Sequence, residues 1–224
     1  MKEATLKQAG KVLEVIGQKE IPCEQLQRLL GSGLLSDLLE ANLENSIDRN
    51  AFRTLIGLKP LNSSSRKLCG TVFIPATTKK FVARDKFVVN TGKKALVKIS
   101  YLGNNFQNWF LGKIEEPAVK MSLRYAELVE SSVDGPILAE LGDTAETTLA
   151  QMHALMERQK NGENGALLNN GHANIFYVRD INGRLRAMYV RWRGDGWDVG
   201  ARSVAHPDEW CDGYRVFSCD SCDA

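Results

Sequence analysis

Three groups of residues carry the types and spacings from which chemistry is built. The first is basic. Lys79, Lys80, Arg84, Lys86, Lys93, Lys94 and Lys98 fall within twenty positions that hold one acid, Asp85, and Phe81 and Phe87 are interleaved among them. Neutralising phosphates requires clustered cations, and exposed aromatic faces stack on unpaired bases. The segment therefore predicts contact with single-stranded nucleic acid. A protein partner, or a sheet edge protected by lysines, accounts for the same charge. The second group is acid–base: His153 and Glu157 lie four apart on a predicted helix, and His172 precedes a predicted strand. Together they are the catalytic candidates of a small hydrolase or nuclease-like enzyme, set against a solvated ion pair on a helix surface. The third group is metal-ligating. Cys219 and Cys222 have the two-residue gap that lets both thiolates reach one zinc, and His206 and Cys211 complete a tetrahedral set. Only one such pair exists, and the opposing reading is a frayed tail that holds no metal.

Other chemistry is missing its motif. There is no Gly-x-Ser-x-Gly elbow, no Gly-x-x-x-x-Gly-Lys-Ser/Thr phosphate loop and no Gly-x-Gly-x-x-Gly after a strand. No cofactor is expected. Gly194-Asp195-Gly196 falls at a turn, where glycines serve positive φ.

The elements that must position these groups divide the chain in two. Residues 1–58 read as short helices. Leu6, Ala9, Leu13 and Ile16 form one apolar stripe, and Pro22 opens a helix carrying Leu26, Leu29 and Leu30. After Gly31-Ser32-Gly33, Leu34, Leu35, Leu38 and Leu39 form a third stripe. Asp48 caps a fourth helix, stapled by Ile47 on Phe52 and ended by Gly57. The third helix carries Asp37, Glu40 and Glu44 and no basic residue, which suits neither a major groove nor phosphates. Residues 59–69, with Pro60 and Ser63-Ser64-Ser65, have linker composition.

Residues 70–224 mix periods. Thr71–Ile74, Phe87–Val89, Ala95–Leu102 and Met121–Tyr125 read as strands, and Phe106, Trp109 and Phe110 as a short helix beginning near Asn104 or Asn105. Asp143 and Glu146 form a capping-box pattern before Leu149, Met152 and Met156, predicting a helix over 144–160. Asp180-Ile181-Asn182-Gly183 joins Asn174–Arg179 to Arg184–Trp192 as a hairpin. Trp197–Val204 follows, with Tyr214–Ser218 as a further edge. The expected fold is α+β: a helical N-terminal module, then an antiparallel sheet packed by one or two helices. Trp109, Trp192, Trp197, Trp210, Tyr177 and Tyr189 either line a binding surface or fill the core.

Gly31–Leu58, with Ile47-Asp48-Arg49-Asn50-Ala51-Phe52-Arg53, and Ala76–Phe87 resemble segments of uncharacterised modular small proteins from candidate-phyla bacterial genomes. Val97–Phe110 and Trp192-Arg193-Gly194-Asp195-Gly196-Trp197 are similar to the same group. The resemblance implies no activity, cofactor or catalytic residue. It implies that the N-terminal helices and the remainder are separable units.

Composition narrows the partners. The chain has 29 basic and 27 acidic residues, so its net charge of +2 makes it no polyelectrolyte. The imbalance is local, with nine basic against three acidic residues over 70–120 and three against eight over 121–170. The longest apolar runs, Ile175–Val178 and Ala187–Val190, are four residues long, whereas a membrane span needs about 18. Five cysteines without an export signal point to a reducing cytoplasm. The expectation is a cytoplasmic, non-enzymatic binding protein whose ligand is a protein or single-stranded nucleic acid. The alternatives are the small hydrolase or nuclease and the zinc protein.

Overall fold

The structure, a computed structural model, describes residues 14, 22–34, 36, 49–57 and 65–220. The chain divides into two units, Met1–Asp48 and Arg49–Ala224. In the first, Pro22 immediately precedes α1 (Cys23–Gly31), whose amphipathic face includes Leu26, Leu29 and Leu30. The stripes expected over Leu6–Ile16 and Leu35–Leu39 and the Ile47–Asp48 cap lie outside the described residues. The second unit begins with α2 (Arg49–Leu55), and Gly57 follows at φ +76° as the expected stop.

A mostly antiparallel sheet of seven strands dominates the second unit. Its members are β1 (Arg66–Ile74), β3 (Ile99–Leu102), β5 (Met121–Leu128), β6 (Asn174–Arg179), β7 (Leu185–Trp192), β8 (Trp197–Ser203) and β9 (Arg215–Cys219). Their spatial order is β1-β5-β9-β6-β7-β8-β3. A separate ribbon pairs β2 (Phe81–Val82) with β4 (Ile114–Glu115). The helices are α3 (Ala83–Lys86), α4 (Asn104–Phe110), α5 (Asp134–Leu141) and α6 (Leu149–Arg158). No helix among the described residues is long and apolar enough to cross a membrane.

The two four-residue apolar runs are the centre of the sheet. Ile175–Val178 occupies β6 and Ala187–Val190 occupies β7, paired antiparallel through the expected Asp180–Gly183 turn. A strand covered on both faces has no solvent side to alternate towards, so its sequence is continuously apolar. Phe176, Val178, Met188 and Val190 enter one core with Leu149, Met152, Leu155 and Met156 of α6 and Phe106 and Phe110 of α4. Ile175, Tyr177 and Ala187 enter a second core with Ile137 and Leu141 of α5 and with Trp210. The aromatics of the sequence reading belong to these cores. Tyr177 and Trp197 are fully buried and Trp210 nearly so, while Trp109, Trp192 and Tyr189 pack at the margins.

Several expected elements are corrected. β1 starts at Arg66 rather than Thr71, with a register shift between Leu68 and Gly70. Phe87–Val89 is no strand. One helical turn, α3, precedes it, and the chain rejoins the sheet only where Asn90 bridges Ile99. β3 runs parallel to β8, and β9 lies parallel to β6, so the sheet is not wholly antiparallel as expected. β9, expected at an edge, sits between β5 and β6. The cap of α6 is Thr148, whose hydroxyl accepts the Gln151 N–H while the Gln151 side chain accepts the Thr148 N–H. Asp143 cannot serve, because Gly142 at φ +55° turns the chain into a short 3-10 stretch, Gly142–Thr144. The Glu146 backbone bridges Tyr177 instead.

α5 is held down by a buried polar cluster that the sequence reading missed. The Asp134 carboxylate is inaccessible and accepts hydrogen bonds from Trp210 Nε1 at 2.7 Å, Tyr177 Oη at 2.9 Å and Arg202 at 3.1 Å. The Arg202 guanidinium also lies 3.4 Å over the Trp210 ring. Burial raises the Asp134 pKa above the ordinary carboxylate value, while Arg202, Trp210 and Tyr177 pull in the opposite direction. The cluster ties α5, β6, β8 and the segment before β9 into one layer. Asp134→Ala should cost about 3–5 kcal/mol, because it strands the Arg202 charge and two buried donors. Tyr177→Phe should cost about 1.5–3 kcal/mol, the range for one hydrogen bond to a charged group. Urea unfolding of both variants measures this, and equal losses would show that the ion pair is not the dominant member.

Candidate ligand site beneath the lysine loop

Alternating burial along residues 81–99 decides which side chains reach solvent. Phe81, Ala83, Phe87, Val97 and Ile99 are buried, and Arg84, Asp85, Lys86, Lys93 and Lys94 are exposed. The rings interlock inside, with Phe87 edge-on to Phe106 at 4.8 Å and to Phe81 at 6.1 Å. Stacking of Phe81 and Phe87 on bases is therefore overturned. These phenylalanines are core, and with Ala83 they fix the two-strand ribbon and the helical turn to the layer beneath.

Mutual backbone hydrogen bonds between Asn90 and Ile99, at 2.9 and 3.1 Å, close the base of a loop. Within it Asn90 Oδ1 accepts the Gly92 N–H at 2.9 Å, and Lys93 and Lys94 follow at the tip. Under the loop lies a pocket of about 250 Å³. Val88, Ala95, Leu96 and Val97 give it an aliphatic wall, and Lys86 and Lys94 bring two cations to it beside Asp85 and Asn90. Leu96 is 80% exposed, and Val88 and the adjacent Val89 are more than half exposed.

α6 supplies the remaining lining residue, His153. Glu115 of β4 positions that helix, its carboxylate accepting the N–H groups of Leu149 and Ala150 at 3.0 and 2.9 Å. Because Glu115 is also the register partner of Phe81, the ribbon sets α6 and the Phe81 ring together. His153 is buried between Phe81 and Phe87, with ring centroids at 5.6 and 5.3 Å. Its Nδ1 lies 3.4 Å from Glu157 Oε1, which is 3.4 Å from Lys86 Nζ. Burial drives the His153 pKa down to about 4; Glu157 opposes this and Lys86 assists it. Near neutral pH the imidazole carries no charge, and a base this weak accepts protons poorly. The pocket lining includes no serine, threonine or cysteine.

The other candidates are dispersed. His172 lies against Tyr214, 5.4 Å between centroids, with Nδ1 3.4 Å from the Gly213 carbonyl, and it does not line the pocket with His153. Lys80 is 2.6 Å from Glu116, and Lys98 is half-buried, its backbone N–H donating to the Lys160 carbonyl. Lys79, Arg84, Lys93 and Lys94 form no ion pair among the described residues. The zinc set does not assemble there either. His206 Nδ1 is 3.8 Å from Asp208, Cys211 is exposed and the Cys219 thiol contacts the Glu146 carbonyl at 3.0 Å. No group of three or more His, Cys, Asp or Glu that could hold a metal occurs among the described residues, and Cys222 lies outside them. The exposed aliphatics had only a weak signal in the sequence: Val88 and Val89 lie two and three residues after Lys86, and Leu96 lies two residues from both Lys94 and Lys98. Comparison with family models, curated proteins and solved structures finds no match.

The depressed His153 pKa has a definite sign. Between pH 6.5 and about 4 the unfolded chain binds a proton that the folded chain refuses. Stability present above pH 6.5 is lost as the pH falls towards 4, on the order of 3 kcal/mol from this residue. His153→Gln should flatten the pH dependence of urea unfolding across that window. An unchanged slope would place a solvated imidazole at this position.

Proposed function

We propose that this protein is a non-enzymatic binding protein of the cytoplasm whose contact is the exposed surface of residues 84–96 and whose ligand is an acidic protein segment. The observation that carries this reading is the coincidence of cations and aliphatics. Lys86 and Lys94 line the same pocket as Val88 and Leu96, while the rings that would stack on bases are buried. Single-stranded nucleic acid presents phosphates and flat bases, and its binders pair a basic groove with aromatic platforms. An acidic polypeptide presents carboxylates and aliphatic side chains, which match what is exposed here. The neutral, buried His153, a poor proton acceptor, supports binding over hydrolysis. Of the N-terminal helices, α1 is read as part of a module separate from the sheet domain, whereas α2 falls in the same unit as the sheet.

Fluorescence anisotropy with a labelled acidic peptide and a labelled oligothymidylate tests this on the full chain. At about 50 mM salt the peptide should bind, and Lys93→Glu with Lys94→Glu should weaken it at least tenfold without altering the far-UV circular dichroism. If the oligonucleotide binds instead, with affinity falling about 0.7 log units per phosphate contact for each tenfold rise in salt, the ligand class is nucleic acid. Binding of neither probe would overturn the reading.

A further inference from the structure

Resting on that reading, we infer that the pocket beneath the lysine loop recognises one aliphatic side chain of the partner, flanked by acidic residues that meet Lys93, Lys94 and Lys86. The size of the pocket comes first. At about 250 Å³ it is smaller than the ~300–1,000 Å³ of sites that enclose cofactors or drug-sized ligands, yet it exceeds the ~30 Å³ share of a single water several-fold. That suits the insertion of one side chain from a larger partner. The character of the wall comes second. Val88, Ala95, Leu96 and Val97 present methyl groups, and the one ring in the lining, His153, is held edge-on between Phe81 and Phe87 at 60° and 84°. A flat aromatic or a base would find no face to stack on, whereas a branched aliphatic chain makes ordinary van der Waals contact throughout.

Charge fixes the flanks. Lys94 at the rim and Lys93 beside it have no acidic partner among the described residues, and Arg84 stands in the same state on α3. Lys86 shares Glu157 with His153, so a partner carboxylate reaching Lys86 competes with an ion pair that is already half exposed. Exposed pairs of this kind are worth little, and the exchange costs correspondingly little. An exposed aliphatic patch rimmed by cations is the surface expected of a docking site that excludes basic partners as it attracts acidic ones. The loop presents its lysines in a defined place, because the Asn90–Ile99 hydrogen bonds hold its base and the Ala95 N–H, donating to the Gly92 carbonyl at 3.0 Å, closes the turn that carries Lys93 and Lys94.

The test uses the full chain and two labelled peptides, Asp-Glu-Glu-Leu-Glu-Glu-Asp and the same peptide with serine in place of leucine. The leucine peptide should bind at least tenfold more tightly than the serine peptide. The double variant Val88→Ser with Leu96→Ser changes only side chains more than half exposed, so it should fold normally and bring the two peptides to equal affinity. Lys93→Glu with Lys94→Glu should weaken both peptides and leave their ratio intact. Equal binding of the two peptides by the unaltered protein, with both weakened by the lysine variant, would overturn the pocket inference and leave the proposed function standing. A leucine preference that survives the Val88 and Leu96 changes would also overturn it, by placing the anchor elsewhere. Binding of neither peptide would remove both readings.

Discussion

Burial of β6 on both faces is the constraint from which the architecture follows. Asn174 to Val178 are all inaccessible to solvent, so the chain must supply a layer on each side. α4 and α6 cover one face with Phe106, Phe110, Met152 and Met156, and α5 with Trp210 covers the other. The second layer is thin, because α5 has eight residues and gives Ile137 and Leu141, with Leu138 beside them, to the core. The Asp134 cluster compensates by replacing area with direction: three donors converge on one carboxylate from β6, β8 and the loop before β9. Such a cluster contributes little beyond an apolar core of equal volume, yet it is costly to break. It sets the position of α5 more sharply than packing alone does.

The proposed ligand surface follows from the opposite face. α6 gives Leu149, Met152 and Met156 to the core, and His153 on the same helix packs against Phe81 and Phe87. The ribbon β2–β4 and the turn α3 close over it with Phe81 and Phe87. With these rings consumed as core, Arg84 and Lys86 between them are exposed, while Lys93 and Lys94 reach solvent separately, at the tip of the loop closed by Asn90 and Ile99. The burial of the two phenylalanines accounts for the neutrality of the histidine beneath them and for the outward direction of Arg84 and Lys86.

Local signals in the sequence were sufficient where partners are close in the chain. The β6–β7 hairpin was legible because Asp180-Ile181-Asn182-Gly183 and the flanking apolar runs encode it together, and the turn to β8 likewise. The apolar face of α6 was legible, but its start was not. Asp143 with Glu146 and Thr148 with Gln151 are rival capping boxes, and the competition is settled by the backbone at Gly142. α5 carries no apolar periodicity long enough to announce it, and Gly135-Pro136 in its first turn reads as a break. The insertion of β9 and the parallel pairing of β3 depend on chain segments far apart, which no window of sequence registers. For the site, the His153–Glu157 proximity and the exposure of most of the lysines were readable from helical spacing and composition. Whether Phe81 and Phe87 face in or out was not, since interleaved aromatics are compatible with a stacking platform and with a core.

The place of β9 bears on how the molecule is made. β1 and β5 reach the rest of the sheet only through β9, and β9 lies beyond all the other strands in the chain. While the stretch from Leu128 to Arg215 leaves the ribosome, at ~5–20 residues per second, the β1–β5 pair stands with one side of β5 uncovered, and one side of β6 joins it once β6 to β8 have emerged. Until β9 arrives, those open edges stand ready to accept any extended segment nearby, including the same edges on a neighbouring nascent chain. The finished sheet conceals this hazard completely, but cells making the protein on crowded polysomes must manage it during every round of synthesis.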